Sequence, residues 1–531
     1  MPNANRAFSA FLATLALPSC FSPIVEPLDS EGASSSATDP GESSTGPGTD
    51  TTADGSSSGA VDSTGATDTP PEITAFTVDG SIMPAEQQVA GMVIFDVDAV
   101  DDVGIDHVEL YDDGELIATL DSSPWRTEIL VSSADNGSHS YTAVAYDTVG
   151  QTDESDVVPM SVNVIGGEIL ELRQDIADFR VTPPLVTFPR ISASAPTDLL
   201  ITASFREDVP LDPRYGITAI SYSDTLSRQW SDDLLPMIGG THGSFLNGDG
   251  PAPSVTMPGR WLLGGAMYGD GMGQRAVFSI DEVSQSISDV LPVGPSNEFV
   301  PTPVTTDLSG NVVLSPSTST LDKRPTPNAM PSWSIPIGDG NAVVFHAFTD
   351  GDDIVITLFE ANCAPMAMQC AQRLSQDGMV LWTRPITSME GSAAAATMSP
   401  DGHLALSTRT EDDLLRLLVL DRVGDTVTDE IVAEDSIYLP LDMSYDPQGS
   451  LLIAGHHRTD SDDTDDEAWA ARVDENGELL WLEVYSFDVD HGITGITATP
   501  TGKAYAVGWE NSFDHDLFGF SGHGWVAELA L

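Results

Sequence analysis

Basic residues are what this chain most conspicuously lacks. Twenty Lys and Arg stand against 82 Asp and Glu, a formal charge of −62. Lysine occurs only at Lys323 and Lys503, and no cation interrupts the stretch between Arg6 and Arg126. Phosphate backbones demand basic stripes, so no nucleic-acid partner is expected. Electrostatic docking on anionic lipid is disfavoured on the same ground. The balance favours solubility and cation binding, although most carboxylates of such a chain simply face water. Helical periodicity is missing too: no sustained 3.6-residue pattern is visible, which leaves a helical solenoid as a weak second reading. Cysteine is nearly absent, with Cys20, Cys363 and Cys370 only. No His lies at a spacing that would enlist Cys363 and Cys370 in catalysis or metal binding. A disulfide between them is the better reading, its small loop contributing somewhat under ~3 kcal/mol.

The first apolar run, residues 7–17, is also short. Its eleven residues fall well below the ~20 a spanning helix needs. With Arg6 before it and small residues after, it has the form of an export signal. Leu17-Pro18-Ser19-Cys20 resembles the lipobox of bacterial lipoproteins, with Pro18 a departure from the family's commoner Ala, Ser or Thr. The resemblance implies that residues 1–20 end in a lipidated Cys20. It places the protein outside the cytoplasm, anchored in the bacterial envelope at the outer membrane or cell surface.

Residues 21–70 read as a linker. Within 29–69 the only apolar side chain larger than Ala, apart from Pro, is Val61. Too little surface can be buried there to offset chain entropy, so a disordered tether is expected. A coil of about 40 residues would span roughly 35 Å.

Residues 71–164 change character. Period-2 apolar stretches at Ile73–Thr77, Val108–Leu110, Ile117–Thr119 and Tyr141–Ala145 are parted by Asp113-Gly114, Asn136-Gly137 and Val149-Gly150. Alternation bounded by such turns predicts short antiparallel strands and a β-sandwich. The strings from Asp102 to Thr119 and from Asp135 to Asp147 resemble bacterial immunoglobulin-like (Ig-like) domains. That family implies a spacer or adhesive module without catalysis.

From 165 to 531 the chain repeats itself, and long-period self-similarity takes precedence over local motifs. A strand, a Pro-x-Gly turn and another strand recur around Pro400-Asp-Gly402, Pro447-Gln-Gly449 and Pro500-Thr-Gly502, spaced 47 and 53 residues apart. A second phrase, Gly378-Met-Val-Leu-Trp382, returns as Gly477-Glu-Leu-Leu-Trp481. Four short strands per ~40–50 residues is the arithmetic of a propeller blade. About seven blades fit, with six or eight open because residues near 304–344 are poorly marked. The segment Gly167-Glu-Ile-Leu-Glu-Leu172 reads like Gly477-Glu-Leu-Leu-Trp-Leu482, so it is expected to complete the last blade and remove an open edge. The expected fold is therefore all-β: tether, Ig-like sandwich, then a propeller of about seven blades. The phrases resemble the quinoprotein-like repeat propellers of exported bacterial proteins. That resemblance implies packing roles for Trp382 and Trp481, with Trp230 as a degenerate third copy.

Chemistry is harder to find. Quinone-dependent dehydrogenases carry a vicinal Cys pair, which this chain does not have. No Gly-x-Ser-x-Gly elbow in strand-to-helix context suggests a hydrolase. His456 and His457 should face opposite ways on a strand. His515 and His523, with Asp514 and Asp516, would still need further ligands and supporting partners to hold a metal. Alternating oxygens at Asp460, Asp462, Asp463, Asp465 and Glu467 suit Ca²⁺, although the Gly of the calcium-loop signature is missing. The string Asp96-Val-Asp98-Ala-Val-Asp101-Asp102 invites the same reading. No organic cofactor is expected.

Segments 206–215, 268–274, 362–369, 458–467 and 510–523 are the longest irregular insertions and should share one face, often the binding side of a repeat array. The expectation is a non-catalytic scaffold at the cell surface that binds an envelope protein or extracellular ligand. Its alternatives are an extracytoplasmic propeller hydrolase or dehydrogenase, or a purely structural envelope component.

Overall fold

The structure, a computed structural model, describes residues 68–531 apart from 79–84, 88–90, 177–188, 196–197, 208–213, 235–242, 247–250, 254–258, 270–271, 296–301, 318, 338–341, 365–366, 387–391, 411–413, 434–436, 459–466, 487–490, 511–512, 515–518 and 521–522. The export signal, Cys20 and nearly all of the tether thus lie outside the described residues. No α-helix occurs among those described; a single 3₁₀ turn, Ser133–Asp135, interrupts the strands.

The first body is a sandwich. One sheet holds Glu72–Val78, Gly91–Val100 and Trp125–Val131 in that order. The other runs Ala85–Gln87, Val158–Val162, Gly137–Asp147, Ile105–Asp112 and Glu115–Leu120, with Thr152–Glu154 also on Gly137–Asp147. Alternation selects the core: Tyr141, Ala143 and Ala145 are buried, whereas Thr142, Val144 and Tyr146 are only half-buried. Across the sheets, Phe95 meets Tyr141 edge-on at 4.9 Å, a contact that adds ~1 kcal/mol beyond its buried area.

The second body is five four-stranded antiparallel sheets and one nine-stranded sheet, which divides into two further blades joined by a parallel pairing of Tyr215 with Gly243. Blade 1 comprises Arg190–Ala195, Asp198–Glu207, Arg214–Ser223 and Arg228–Leu234. Blade 2 comprises Gly243–Leu246, Arg260–Gly269, Met272–Asp281 and Ser286–Pro295. Blade 3 has Val304–Thr306, Val312–Ser317, Thr320–Arg324 and Trp333–Pro336. Blade 4 has Val343–Asp350, Asp353–Ala364, Ala367–Leu374 and Val380–Ile386. Ser392–Met398, Leu404–Arg409, Leu415–Leu420 and Thr426–Ala433 form blade 5. Ile437–Tyr445, Leu451–Arg458, Glu467–Val473 and Leu479–Tyr485 form blade 6. Blade 7 takes His491–Ala498, Ala504–Glu510 and His523–Leu529 from the end of the chain and Ile169–Ile176 from 350 residues earlier.

These blades close a ring. First strands pack on first strands from blade 3 to blade 7, and that of blade 7 packs on that of blade 1. Blade 2 meets blade 1 through Gly243–Leu246 and blade 3 through Ala252–Pro253. Each adjacent pair encloses its own apolar cluster. Val313 and Leu321 of blade 3, for example, pack with Val344 and Ile356 of blade 4; Ile191 and Ile201 of blade 1 pack with Tyr505 and Val507 of blade 7. A sheet buried on both faces should read as a continuous apolar run rather than an alternating one. Leu451-Leu-Ile-Ala-Gly455, buried at every residue, shows it. The body is a seven-bladed β-propeller, within the range the repeat spacing allowed.

The Pro-x-Gly phrase is the hairpin between first and second strands. Gly449 N donates to Asp446 O at 3.0 Å, Gly402 N to Ser399 O at 2.9 Å and Gly502 N to Thr499 O at 2.9 Å. The glycines sit at φ +84°, +79° and +80°, the left-handed region that closes a type I turn with a bulge. Proline fits the position after the turn's first residue because its φ is already set.

Candidate functional site

Polar side chains near the ring axis are spent on backbone groups of other blades. Arg190 of blade 1 is buried and donates from Nη1 to Thr494 O of blade 7 and, at 3.3 Å, to Leu441 O of blade 6. Asp442 of blade 6 accepts from Ile496 N of blade 7 at 2.8 Å. Thr494 Oγ1 donates to Pro189 O at 2.7 Å, and Thr349 Oγ1 of blade 4 to Thr306 O of blade 3 at 2.9 Å. His346 of blade 4 is buried, with Nδ1 2.6 Å from Thr357 Oγ1. Burial, aided by the Arg190 charge, pulls its pKa down to about 3, so the imidazole is neutral. An Arg of blade 1 that reaches past blade 7 to a carbonyl of blade 6 must stand near the axis.

The two ring faces differ. In antiparallel blades, the connections between second and third strands all leave the face opposite the first-to-second hairpins. Connections 207–214, 269–272, 364–367, 458–467 and 510–523 are all of that second-to-third kind and share one face. Segments 268–274 and 362–369, however, lie mostly within strands, with two residues between each pair, and are not the irregular insertions expected.

The sandwich docks on the hairpin face. A Cβ on Gly502 would collide with Leu130, and Leu130 packs into the cluster between blades 6 and 7. Ser133 N donates to Leu531 O at 2.7 Å, and Ala530 lies in the sandwich core. At the centre is Arg472, with no exposure, paired at 2.7 Å with the equally buried Asp446. Its Nη1 reaches Ser132 Oγ of the sandwich at 3.0 Å, and its Nη2 bonds to Gln448.

Tryptophans on outer strands lock blade to blade. Trp382 Nε1 donates to Arg422 O at 2.8 Å, and its ring lies where a Cβ of Gly424 would fall. Trp481 fills the corresponding space beside Gly166 and Gly167. Trp230 packs in the cluster between blades 1 and 2. Trp333, which the Gly-x-x-x-Trp phrase does not mark, bonds to Gln376 O at 2.8 Å and covers Gly378.

Of the expected calcium ligands, Asp460, Asp462, Asp463 and Asp465 lie outside the described residues. Glu467 is described: Oε2 is 3.1 Å from His457 Nδ1, and Oε1 accepts from Ser486 Oγ at 2.5 Å. His457 is buried and His456 is half-buried, on opposite faces of their strand. Cys370 is fully buried and disulfide-bonded, while the side chain of Cys363 lies outside the described residues, as do those of Asp514, His515, Asp516 and His523.

Two acidic clusters occur in the sandwich. In the first, Asp112, Asp113 and His139 converge. His139 Nδ1 is 2.7 Å from Asp112 Oδ2 and Nε2 is 2.6 Å from Asp135 O. Burial lowers the His139 pKa, but the bonds to Asp135 and Asp112 outweigh it and the net shift is upward. Both ring nitrogens are committed, so neither is free to ligate a metal. In the second, oxygens of Asp68, Asp101 and Asp102 lie within 4.8 Å of one another. Sequence reasoning singled out Asp101 and Asp102 but missed Asp68, which falls in the stretch read as tether.

The bacterial Ig domain family matches residues 82–143. Among solved structures, the fibronectin(III)-like modules of Clostridium thermocellum CbhA match at 24% identity and a TM-score of 0.16, covering 17% of this chain and 98% of that one. The WD40 β-propeller domain of Doa1 matches at 13% identity and a TM-score of 0.40, covering 66% of this chain and 95% of that one. No curated protein sequence matches the chain.

Proposed function

We propose that the chain is an exported, lipid-anchored scaffold whose propeller binds an envelope protein or extracellular ligand without catalysis. One observation carries this reading: the long second-to-third connections 207–214, 458–467 and 510–523 share the ring face opposite the one on which the sandwich docks. A strut on one side leaves the variable side open to a partner. The use of Arg190, Asp442 and Thr494 as inter-blade ties fits a ring built for rigidity. Cys20 and the tether would set its distance from a membrane, roughly 35–40 Å for a flexible coil of that length.

Two measurements test the reading. Palmitate labelling should disappear in Cys20→Ala while the protein stays soluble; persistent label ends the anchor assignment. Replacing 459–466 with a short Gly-Ser turn should abolish cross-linking to the envelope partner and leave the melting temperature of the ring unchanged. Turnover of an extracellular polymer or small substrate by the intact chain would favour the hydrolase or dehydrogenase alternative instead.

A further inference from the structure

The inward column Tyr141, Ala143, Ala145 ends on Asp147, a carboxylate in a core position. Asp147 is 2% exposed. Its Oδ1 accepts from Val149 N at 2.9 Å and Gln151 N at 2.8 Å. Its Oδ2 is buried and has no hydrogen-bond partner among the described residues. A buried anion left this way costs several kcal/mol by ordinary desolvation estimates, which a structure tolerates only if something neutralises it. No Lys, Arg or His among the described residues pairs with Asp147, Asp68, Asp101 or Asp102 within 4.0 Å.

Its neighbours repeat the pattern. Asp101 Oδ2 accepts from Val103 N at 2.8 Å and Gly104 N at 2.6 Å, and Asp101 Oδ1 is buried without a partner. Asp68 Oδ2 accepts from Gln151 Nε2 at 3.0 Å, and Asp68 Oδ1 is buried without a partner. Asp102 Oδ1 takes both the Thr69 hydroxyl at 2.8 Å and the Thr69 N–H at 3.2 Å. In Asp147, Asp101 and Asp68 one oxygen is held by fixed donors and the other is buried and left over, whereas Asp102 is exposed. Gln151 joins Asp147 to this cluster, its N–H bonding to Asp147 Oδ1 and its Nε2 to Asp68 Oδ2, and Thr148 N donates to Gly104 O at 3.3 Å beside the Asp101 turn.

We propose that Asp68, Asp101 and Asp102, backed by the buried carboxylate of Asp147, form a Ca²⁺ site that fastens the start of the sandwich to its end furthest from the propeller. Oxygens of Asp68, Asp101 and Asp102 lie within 4.8 Å of one another, and with the buried Asp147 charge behind them they suit a hard cation with six to eight ligands and irregular geometry, the remainder being water. Mg²⁺ fits less well, because it demands a near-ideal octahedron. Register fixes the location. Ile105 pairs with Asp147 and Glu72 with Val100 at this end, while Gly137 pairs with Val162 and Gly91 with Val131 at the propeller end. The eleven-residue strand Gly137–Asp147 separates the two by roughly 35 Å. The ion would therefore tie Asp68, where the tether meets the sandwich, to two interior loops. The site stands whether or not the ring binds a partner.

The test uses the whole chain with Cys20→Ala, stripped with EDTA and titrated with CaCl₂ in a calorimeter. A saturable heat is expected, weakened by about tenfold or more in Asp147→Asn and in the exposed-site variant Asp102→Asn. The triple variant Asp460→Asn, Asp462→Asn, Asp463→Asn should retain it. Without Ca²⁺, Asp147→Asn should melt higher than the parent, because a repulsive charge is gone while its Oδ1 acceptor remains. Absence of heat at millimolar Ca²⁺ overturns the proposal, as does a heat that survives both single variants unchanged. A lower melting temperature of calcium-free Asp147→Asn would also overturn it, since the carboxylate would then be a purely structural acceptor.

Discussion

Arg472 Nη1 lies 3.0 Å from Ser132 Oγ, so a propeller side chain with no exposure is completed by a residue of the sandwich. The Asp446–Arg472 pair is thereby sealed from water by the neighbouring domain. Arg472→Met should cost ~3–5 kcal/mol, because Asp446 is left as an unpaired buried charge. Ser132→Ala should cost only ~1 kcal/mol, yet loosen the seam. Chemical denaturation gives the first number, and protease sensitivity at residues 163–168 reports the second. Equal effects from both variants would show that the arginine does not organise the junction.

Ring closure rests on Ile169–Ile176 pairing with His523–Leu529. Deleting 167–172 should expose the last strand's edge, lower the melting temperature of the propeller and promote association through that edge. Calorimetry and light scattering check this together. Unchanged melting would mean that the ring does not depend on its seam.

Gly424 has φ +85°, and a Cβ there would stand 2.9 Å from the Trp382 ring. Gly424→Ala should lose ~1–3 kcal/mol through strain alone. The clash part should vanish in a Trp382→Ala background, giving a positive coupling in a double-mutant cycle. Additive losses would place the whole effect in the backbone.

His346 supplies a pH signature. Its folded pKa of about 3 lies below the unfolded value of about 6.5. The unfolded chain therefore binds a proton that the native ring refuses between those values. Stability is unaffected above about pH 6.5 and falls as pH drops, by at most ~1.4 kcal/mol per unit. His346→Gln should flatten that slope relative to the parent in denaturation series from pH 7 to 4. His139 acts with the opposite sign: its raised pKa gives stability present below about 6.5 and lost as pH rises through the folded value.

The sequence was most informative where local chemistry repeats. Pro400, Pro447 and Pro500 each precede a glycine that must be left-handed, so three hairpins of blades 5, 6 and 7 were legible. Blade 3 was not, since Val304–Thr306 is only three residues and Trp333 follows Pro331-Ser332 rather than a glycine phrase. The acidic cluster was half visible. Asp101 and Asp102 stand together in the chain, but Asp68 and Asp147 are 79 residues apart, and only the fold makes them neighbours. Asp147 carried a signal all the same: an acid on the inward beat of Tyr141, Ala143, Ala145. Arg472 gave none, because its partner Ser132 belongs to another domain, 340 residues away.

A ring fastened by pairing Ile169 with Leu529 has a price in time. The first strand must wait, unpaired, while some 350 residues emerge behind it. During that interval both rims of the growing sheet stack are open to strands from neighbouring molecules. A formal charge of −62 spread over the chain gives each unfinished copy a repulsive coat against its twins. The scarcity of lysine and arginine, unhelpful for any reading of chemistry, thus keeps late-closing molecules apart until their ends have met.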